Sequence, residues 1–506
     1  MTATTPEDLL ADAAPPRPVT PPPAAGEGPW DPPRRLLTAG LLMLVAATAF
    51  EALAVATIMP AVAADLDGLV LYGWAFSSFM LANMVGIVFA GGVADRSGPL
   101  IPFVLGVAVL TIGLILGGVA ASMWILILAR ILQGFAGGCV SSIAYVTIGR
   151  GYPAAAKPKM LALLSSAWVV PGLIGPAVSG VITDQVGWRW VFLALIPLPP
   201  LAAAMVFPGL RRIPAGRAAM NALARIRHAV QLALGAGLFL AGLGWRDRLT
   251  LDRPAGLPVQ LDLAPPLVAV VMVLGGVLFA VPALRSLLPP GTLRAAAGLP
   301  AAVATMGLLN VGFFGVDAFV PLALVDVRGQ TIIYASLALT GATITWTIGS
   351  WLQARFSATA SRRRLIQTGL IVVAVGCALF LPVLAPAVPV LLGPVSWTLA
   401  GLGMGLAFST LSLVVLETAP AGQEGAAAAS LQLANVLGGG LGTGIGGALV
   451  GSIGAADGQL RTALTIQEVA MIVVLVVAVA AAARLPNRPP APSSPAVAPL
   501  TGAQSA

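Results

Sequence analysis

Long apolar runs separated by short polar breaks recur along almost the whole chain. The first, residues 36–64, reads LLTAGLLMLVAATAFEALAVATIMPAVAA and is interrupted by one carboxylate, Glu51. About twenty apolar residues in helical form cross the hydrocarbon core of a bilayer. The pattern therefore predicts spanning helices near 36–62, 72–94, 100–121, 123–148, 161–184 and 189–210, then 229–245 and 265–288, and finally 300–326, 330–354, 364–385, 388–418, 425–452 and 465–484. The expected fold class is all-α integral membrane, with two six-helix pseudo-symmetric bundles plus two inserted transmembrane helices, fourteen spans in all.

The breaks set the domain organisation. Residues 1–33 and 486–506 are rich in Pro and Ala and poor in large apolar side chains, so they are expected to be disordered tails. Between them lie an N-terminal bundle, 34–210, an Arg-rich connector with the inserted pair, 211–295, and a C-terminal bundle, 296–485. The bundles read as parallel copies. PAVAADLDG at 60–68 aligns with PLALVDVRG at 321–329, GGVADR at 91–96 with SWLQAR at 350–355, and QGFAGG at 133–138 with AGLGMG at 400–405. Two related bundles facing each other imply a central cavity that opens to either side by rocking.

Composition sharpens this reading. The chain has 506 residues, of which 58% are hydrophobic and 9% charged, against roughly a quarter charged in soluble domains. The net charge of +8 is explained by topology and not by nucleic acid, since the basic residues form no continuous patch. With the N-terminus in the cytoplasm, the external loops hold Arg189, Arg246, Arg248, Arg253, Arg328 and Arg461, Arg130 lies within a span, and the remainder of the 27 basic residues fall on the cytoplasmic side. That asymmetry follows the positive-inside rule, and it predicts a multi-pass protein of the inner (plasma) membrane with both termini cytoplasmic. Cys139 and Cys377 fall inside apolar segments as packing residues, and neither a disulfide framework nor a metal site is expected. His228, the single histidine, stands beside Arg225 and Arg227 at an expected helix start.

An acid inside a spanning run needs a partner, a proton or a water-filled cavity, which makes Glu51 the first candidate for chemistry. Arg130 keeps its charge and needs an anion or water. At about 1.5 Å per residue the two lie at similar depth, so they are expected to meet. Two readings of such a pair stay open, a functional coupling site and a permanent strut between helices. Asp317, four residues before Pro321, is a further candidate: proton carrier, binder of cations, or interfacial acid near the external mouth. It is not the repeat equivalent of Glu51, which falls at Gly312.

Three motifs carry a family resemblance. GGVADRSG at 91–98 sits between the second and third spans, LARILQGFAGG contains Arg130 and Gln133, and the fifth span contains WVVPGLIGPAVSG. Together these resemble the major facilitator superfamily, and the fourteen-span count is similar to its drug/proton antiporters. The resemblance implies a cytoplasmic gate at Gly91, Asp95, Arg96 and Gly98, with Arg355 in the second half, where Ala354 replaces the acid. It also implies proton coupling through Arg130 and an antiporter motif at Gly172, Gly175, Pro176 and Gly180. Pro99-Leu100 departs from the usual basic pair, and Ser179 stands where many members have glycine. Asn83, Gln133, Tyr145, Trp168, Asn310, Trp346 and Gln432 are candidates to line a substrate cavity.

The expected activity is secondary active transport, export of hydrophobic or cationic small molecules by alternating access against inward proton movement. No cofactor is expected beyond the proton as coupling ion, and no enzymatic constellation appears. The expected partners are the lipid bilayer, a small-molecule substrate and protons, with the protein acting as a monomer. A dedicated metabolite or lipid exporter or importer, and a non-transporting receptor on the same fold, are the alternatives. The Gly-rich run 438–447 lacks the Lys-Ser/Thr ending of a nucleotide loop and reads as close helix packing.

Overall fold

A computed structural model describes residues 28–153, 156–215, 222–245, 265–357, 359–420, 423–454 and 459–487; the expected tails before 28 and after 487, and most of the polar loop after Trp245, lie outside these. The first bundle comprises α1 (Arg35–Asp65), α2 (Tyr72–Ser97), α3 (Leu100–Gly118), α4 (Met123–Gly151), α5 (Lys157–Ser166), α6 (Val169–Val186), α7 (Arg189–Leu193) and α8 (Leu198–Leu210). The inserted pair is α9 (Ala222–Leu243) and α10 (Pro265–Leu287). The second bundle comprises α11 (Leu299–Asp317), α12 (Val320–Leu322), α13 (Ile332–Phe356), α14 (Arg362–Phe380), α15 (Leu392–Thr418), α16 (Glu424–Leu449) and α17 (Leu460–Ala482). Among the described residues, 14 segments are long and apolar enough to cross a membrane; with that even number the start of α1 and the end of α17 fall on one face, here the terminal face, and the opposite one is the distal face.

These helices are apolar on most sides, as membrane helices must be. Small residues let them approach closely where bulk would hold them apart. Gly134 and Gly138 of α4 lie against the backbones of Phe79 and Asn83 on α2, and Gly401 and Gly405 of α15 lie against those of Ala342 and Trp346 on α13. The same crossing is thus built twice, at the stretches aligned as repeats. The glycine run of α16 is indeed packing: Gly438 and Gly442 meet α11, while Gly440 and Gly447 meet α2.

Several boundaries differ from the hydropathy pattern. Helix α9 starts at Ala222, so Arg225, Arg227 and His228 lie on it and not before it; ALARIRH is made of good helix formers whose charge hides them from a hydropathy window. Leu381–Leu384 forms a separate 3₁₀ turn, and the next helix begins at Leu392 because the prolines of LPVLAPAVP interrupt the ladder. The span after α10 is broken: α11 ends at Asp317, and a π turn over Ala323–Val327 follows α12. Pro321 lacks the N–H that the Asp317 carbonyl would otherwise receive. Residues 28–33 are an ordered turn and not part of a tail, fixed by Thr38 donating to the Pro29 carbonyl at 2.6 Å.

The inserted pair is asymmetric. Leu232, Ala236 and Leu240 of α9 pack with Leu81 and Met84 of α2 and Leu433, Val436 and Leu437 of α16, so α9 covers a seam between the bundles. Helix α10 packs on α9 through Gly235, Gly242 and Gly276 and leaves Val271, Leu274 and Leu278 exposed toward lipid.

Candidate functional site

Within the first bundle, Glu51 on α1 and Arg130 on α4 form an ion pair, each only 2% exposed. Arg130 is held on every side. Its Nη1 also donates to Gln133 Oε1 at 2.9 Å, its Nε to the Ala75 carbonyl at 3.0 Å, and the guanidinium stands 4.2 Å from the Phe79 ring centroid. Gln133 passes the chain on, donating from Nε2 to the Gly113 carbonyl of α3 at 3.1 Å. The result is a desolvated charge network joining four helices, in which a low local dielectric strengthens each contact.

The residues expected to line a cavity divide. Gln133 and Asn310 are fully buried, so neither faces open space: Gln133 serves the ion pair, and Asn310 donates to the Met306 carbonyl at 2.7 Å within α11. Asn83 is part-buried and donates to the Gly134 carbonyl at 3.2 Å, tying α2 to α4. Tyr145 and Trp168 are exposed. Trp346 is half-buried, edge-on to Phe313 at 5.7 Å, and Gln432 is half-buried on α16.

At the terminal face, Asp95 pairs with Arg150 of α4, which also donates to the Ala94 carbonyl at 3.2 Å. Arg96, expected in the same gate, is exposed. Gly91 lies near Ser142 of α4, and Gly98 adopts φ +82° to end α2, a conformation that favours glycine. Arg355 is exposed, and the second half uses another pair, Arg362 on α14 with Glu417 on α15 at 2.9 Å. Glu417 lies in the last turn of α15; an acid there opposes the helix dipole, and Arg362 offsets it. Because the Asp95–Arg150 pair is partly solvated, Arg150→Ala is expected to change unfolding free energy by less than about 1 kcal/mol. Initial transport rates of that variant should nevertheless fall several-fold, measured beside its thermal unfolding in detergent.

The bundles meet from mid-membrane to the distal face. Gly172 and Gly180 of α6 lie against Thr343 and Ile333 of α13, and Gly175 lies near Phe50 of α1. Pro176 is buried inside α6. The start of α2 and the end of α16 close most tightly: Gly73 lies against Gly447 and Val70 against Gly451. Tyr72 crosses the seam, donating to the Ala318 carbonyl at 3.0 Å, with its ring 5.4 Å from that of Phe319. The distal face is therefore shut.

In the second bundle Asp317 accepts from Trp397 Nε1 at 2.8 Å. It sits at the helix break beside Ala318 and not at an open mouth. Sequence reasoning missed Arg150 and also Glu468, a carboxylate 2% exposed on α17. Both carried a readable signal, a basic residue before the GY turn and an acid inside an apolar run.

Two six-helix bundles, closed on each other at one face and with a buried charge network in one half, make up the architecture of a membrane transporter. The Major Facilitator Superfamily pattern matches residues 39–317, and the chain belongs to that superfamily. A probable multidrug-efflux transporter of Mycobacterium tuberculosis strain H37Rv is 27% identical over 431 residues, covering 82% of this chain and 88% of that protein. The multidrug transporter protein MdtP of Bacillus subtilis is 30% identical over 178 residues, 35% of this chain and 33% of its own. Among solved structures, a bacterial homolog of the human lysosomal transporter Spinster aligns with TM-score 0.61 at 15% identity, over 89% of this chain and 96% of that one. An auto-inhibited POT family peptide transporter aligns with TM-score 0.60 at 14% identity, over 88% and 95%. These two share the fold.

Proposed function

We propose that this major facilitator protein exports hydrophobic or cationic small molecules in exchange for protons, working as a monomer in the plasma membrane with both termini cytoplasmic. The observation that carries this reading is the Glu51–Arg130 pair, the one buried ion pair among the described residues. One relative named for multidrug efflux supports the direction, that relative and a second named as a multidrug transporter support the substrate class, and the basic residues concentrated at the terminal face support the orientation.

In the proposed cycle a proton from outside adds to a Glu51 carboxylate oxygen and cancels the ion pair. The neutral acid still accepts a hydrogen bond from Arg130, whose charge remains held by Gln133, the Ala75 carbonyl and Phe79. The first bundle is thereby freed to rock without losing its fold. Release of the proton to the cytoplasm restores the pair, and substrate occupies the cavity in the opposite phase. Two sites whose occupants alternate are coupled when each occupant favours a different conformation.

The test uses inverted membrane vesicles, acid inside, with ethidium as the probe. The wild type is expected to accumulate ethidium and to discharge the pH gradient when ethidium is added. Glu51→Gln should insert and bind ethidium yet lose gradient-driven accumulation by about tenfold or more. Unchanged accumulation in that variant would sink the proposal.

A further inference from the structure

Helix α17 carries a second carboxylate into the apolar interior, and the cycle above does not use it. Glu468 is 2% exposed, its Oε1 has no hydrogen-bond partner, and no ion pair among the described residues includes it. A carboxylate so placed needs a proton, a cation or water. The space beside it is a cavity of about 10 Å³, bounded by Val316, Phe319, Phe380, Leu464 and Gln467, the lower limit for one water.

Position gives this group its meaning. The neighbouring Gln467 donates to the Gly315 carbonyl, and Val316 and Phe319 wall the Glu468 cavity. Helix α17 therefore grips both sides of the break at Asp317–Phe319, and within that break lies Ala318, whose carbonyl receives the Tyr72 hydroxyl from the other bundle. The same break takes Trp397 of α15 through Asp317. The contact that shuts the distal face thus rests on a broken stretch of helix that Glu468 backs.

Among the described residues, the titratable groups around it offer no compensating cation. Asp317 from α11 and the Cys377 thiol from α14 share its electrostatic neighbourhood. Further along, Asp326 and Arg328 belong to the turn after α12, and Arg328 is engaged by the carbonyls of Val383, Ala385 and Val388. Helix α16 contributes Thr443 and glycines, without a titratable side chain, at this level, and α2 contributes Tyr72.

We propose that Glu468 is the proton-binding site of the C-terminal bundle: with its proton it holds α17 against the broken helix and keeps the outer face closed, and without it that contact loosens and the outer face opens. This rests on the proton-coupled reading and adds a site to it. The proton bonds to a carboxylate oxygen and leaves to water; no other bond forms or breaks. An anion appearing in an apolar wall favours whichever conformation admits water to it, which gives the two states the differential stability that coupling requires.

The experiment places a reporter at Val320→Cys, buried where α12 meets α1 across the bundles, in a chain whose two native thiols are themselves buried. A membrane-impermeant maleimide is applied to the outer face over a range of external pH. With Glu468 intact, labelling should rise as external pH rises. Glu468→Gln, a neutral isostere, should keep labelling low and independent of pH, bind ethidium within about twofold of wild type, and lose gradient-driven accumulation about tenfold or more. Glu468→Asp should restore the pH dependence, which separates proton binding from a packing defect. Labelling of the Gln variant that follows pH as in wild type overturns the proposal, as does wild-type accumulation by that variant. A chain that never shows gradient-driven accumulation would defeat the antiport reading, while the labelling arm would still decide the role of Glu468.

Discussion

Arg130→Ala is expected to abolish gradient-driven transport and to destabilise the first bundle by about 3–5 kcal/mol, the range for breaking a buried pair from one side. The variant removes the partner of Glu51, the donor to Gln133 and to the Ala75 carbonyl, and the cation over Phe79. What remains is an acid with no cation and a void where a long side chain had been. Glu51→Gln is milder, because the amide still accepts from Arg130 and the guanidinium keeps its other partners. The double variant Glu51→Gln/Arg130→Ala removes the stranded charge as well. It should unfold later than Arg130→Ala alone, and it should still fail to couple transport to the gradient. Unfolding in detergent across the four proteins gives the coupling energy, and ethidium accumulation gives function. Strict additivity of the two substitutions, or transport surviving in Arg130→Ala, would contradict a coupled pair.

The parts of this site that were legible in the sequence are those whose signal is a charge in the wrong solvent. Glu51 and Arg130 stand out of apolar runs, and helical rise places them at one depth; the structure brings them together. The two-bundle architecture was readable for a similar reason, since span length is set by bilayer thickness and the repeat preserves Pro, Asp and Gly at one spacing. Glu468 carried the same signal as Glu51 and went unread, because α17 showed no motif to direct attention to it. Gln133 illustrates a different limit. Sequence gives its depth, but whether it turns to a cavity or to Arg130 depends on the rotation of α4, which the glycines facing α2 determine. The break after Asp317 had its cause in view at Pro321, yet its consequence, a carbonyl offered to Tyr72, needs the other bundle in place. Asp95 was readable as a gate residue; Arg150 was visible as a basic residue before the GY turn, but that the two pair was not, because Arg150 arrives from the far end of another helix.

Closure of the distal face supplies the second large effect. A Cβ on Gly447 would run into the Cα and backbone nitrogen of Gly73, and a Cβ on Gly73 would meet Gly447 in turn. The nearest atoms on both sides belong to the opposite bundle, so Gly447→Val should leave each bundle folded while preventing their distal ends from meeting. An alternating carrier that cannot shut one face loses its cycle, and transport is expected to fall by about tenfold or more with little change in unfolding. The neighbouring Gly446 provides the contrast, since a Cβ there would strike Phe319 and Gln467 within its own bundle. Gly446→Val should therefore lower stability first and transport as a consequence, by roughly 1–3 kcal/mol as overpacking does. Measuring unfolding and ethidium transport for both variants separates the two kinds of contact. If Gly447→Val destabilised the protein as Gly446→Val does, the Gly73–Gly447 contact would be part of a permanent core, and the face it closes would not be one that opens.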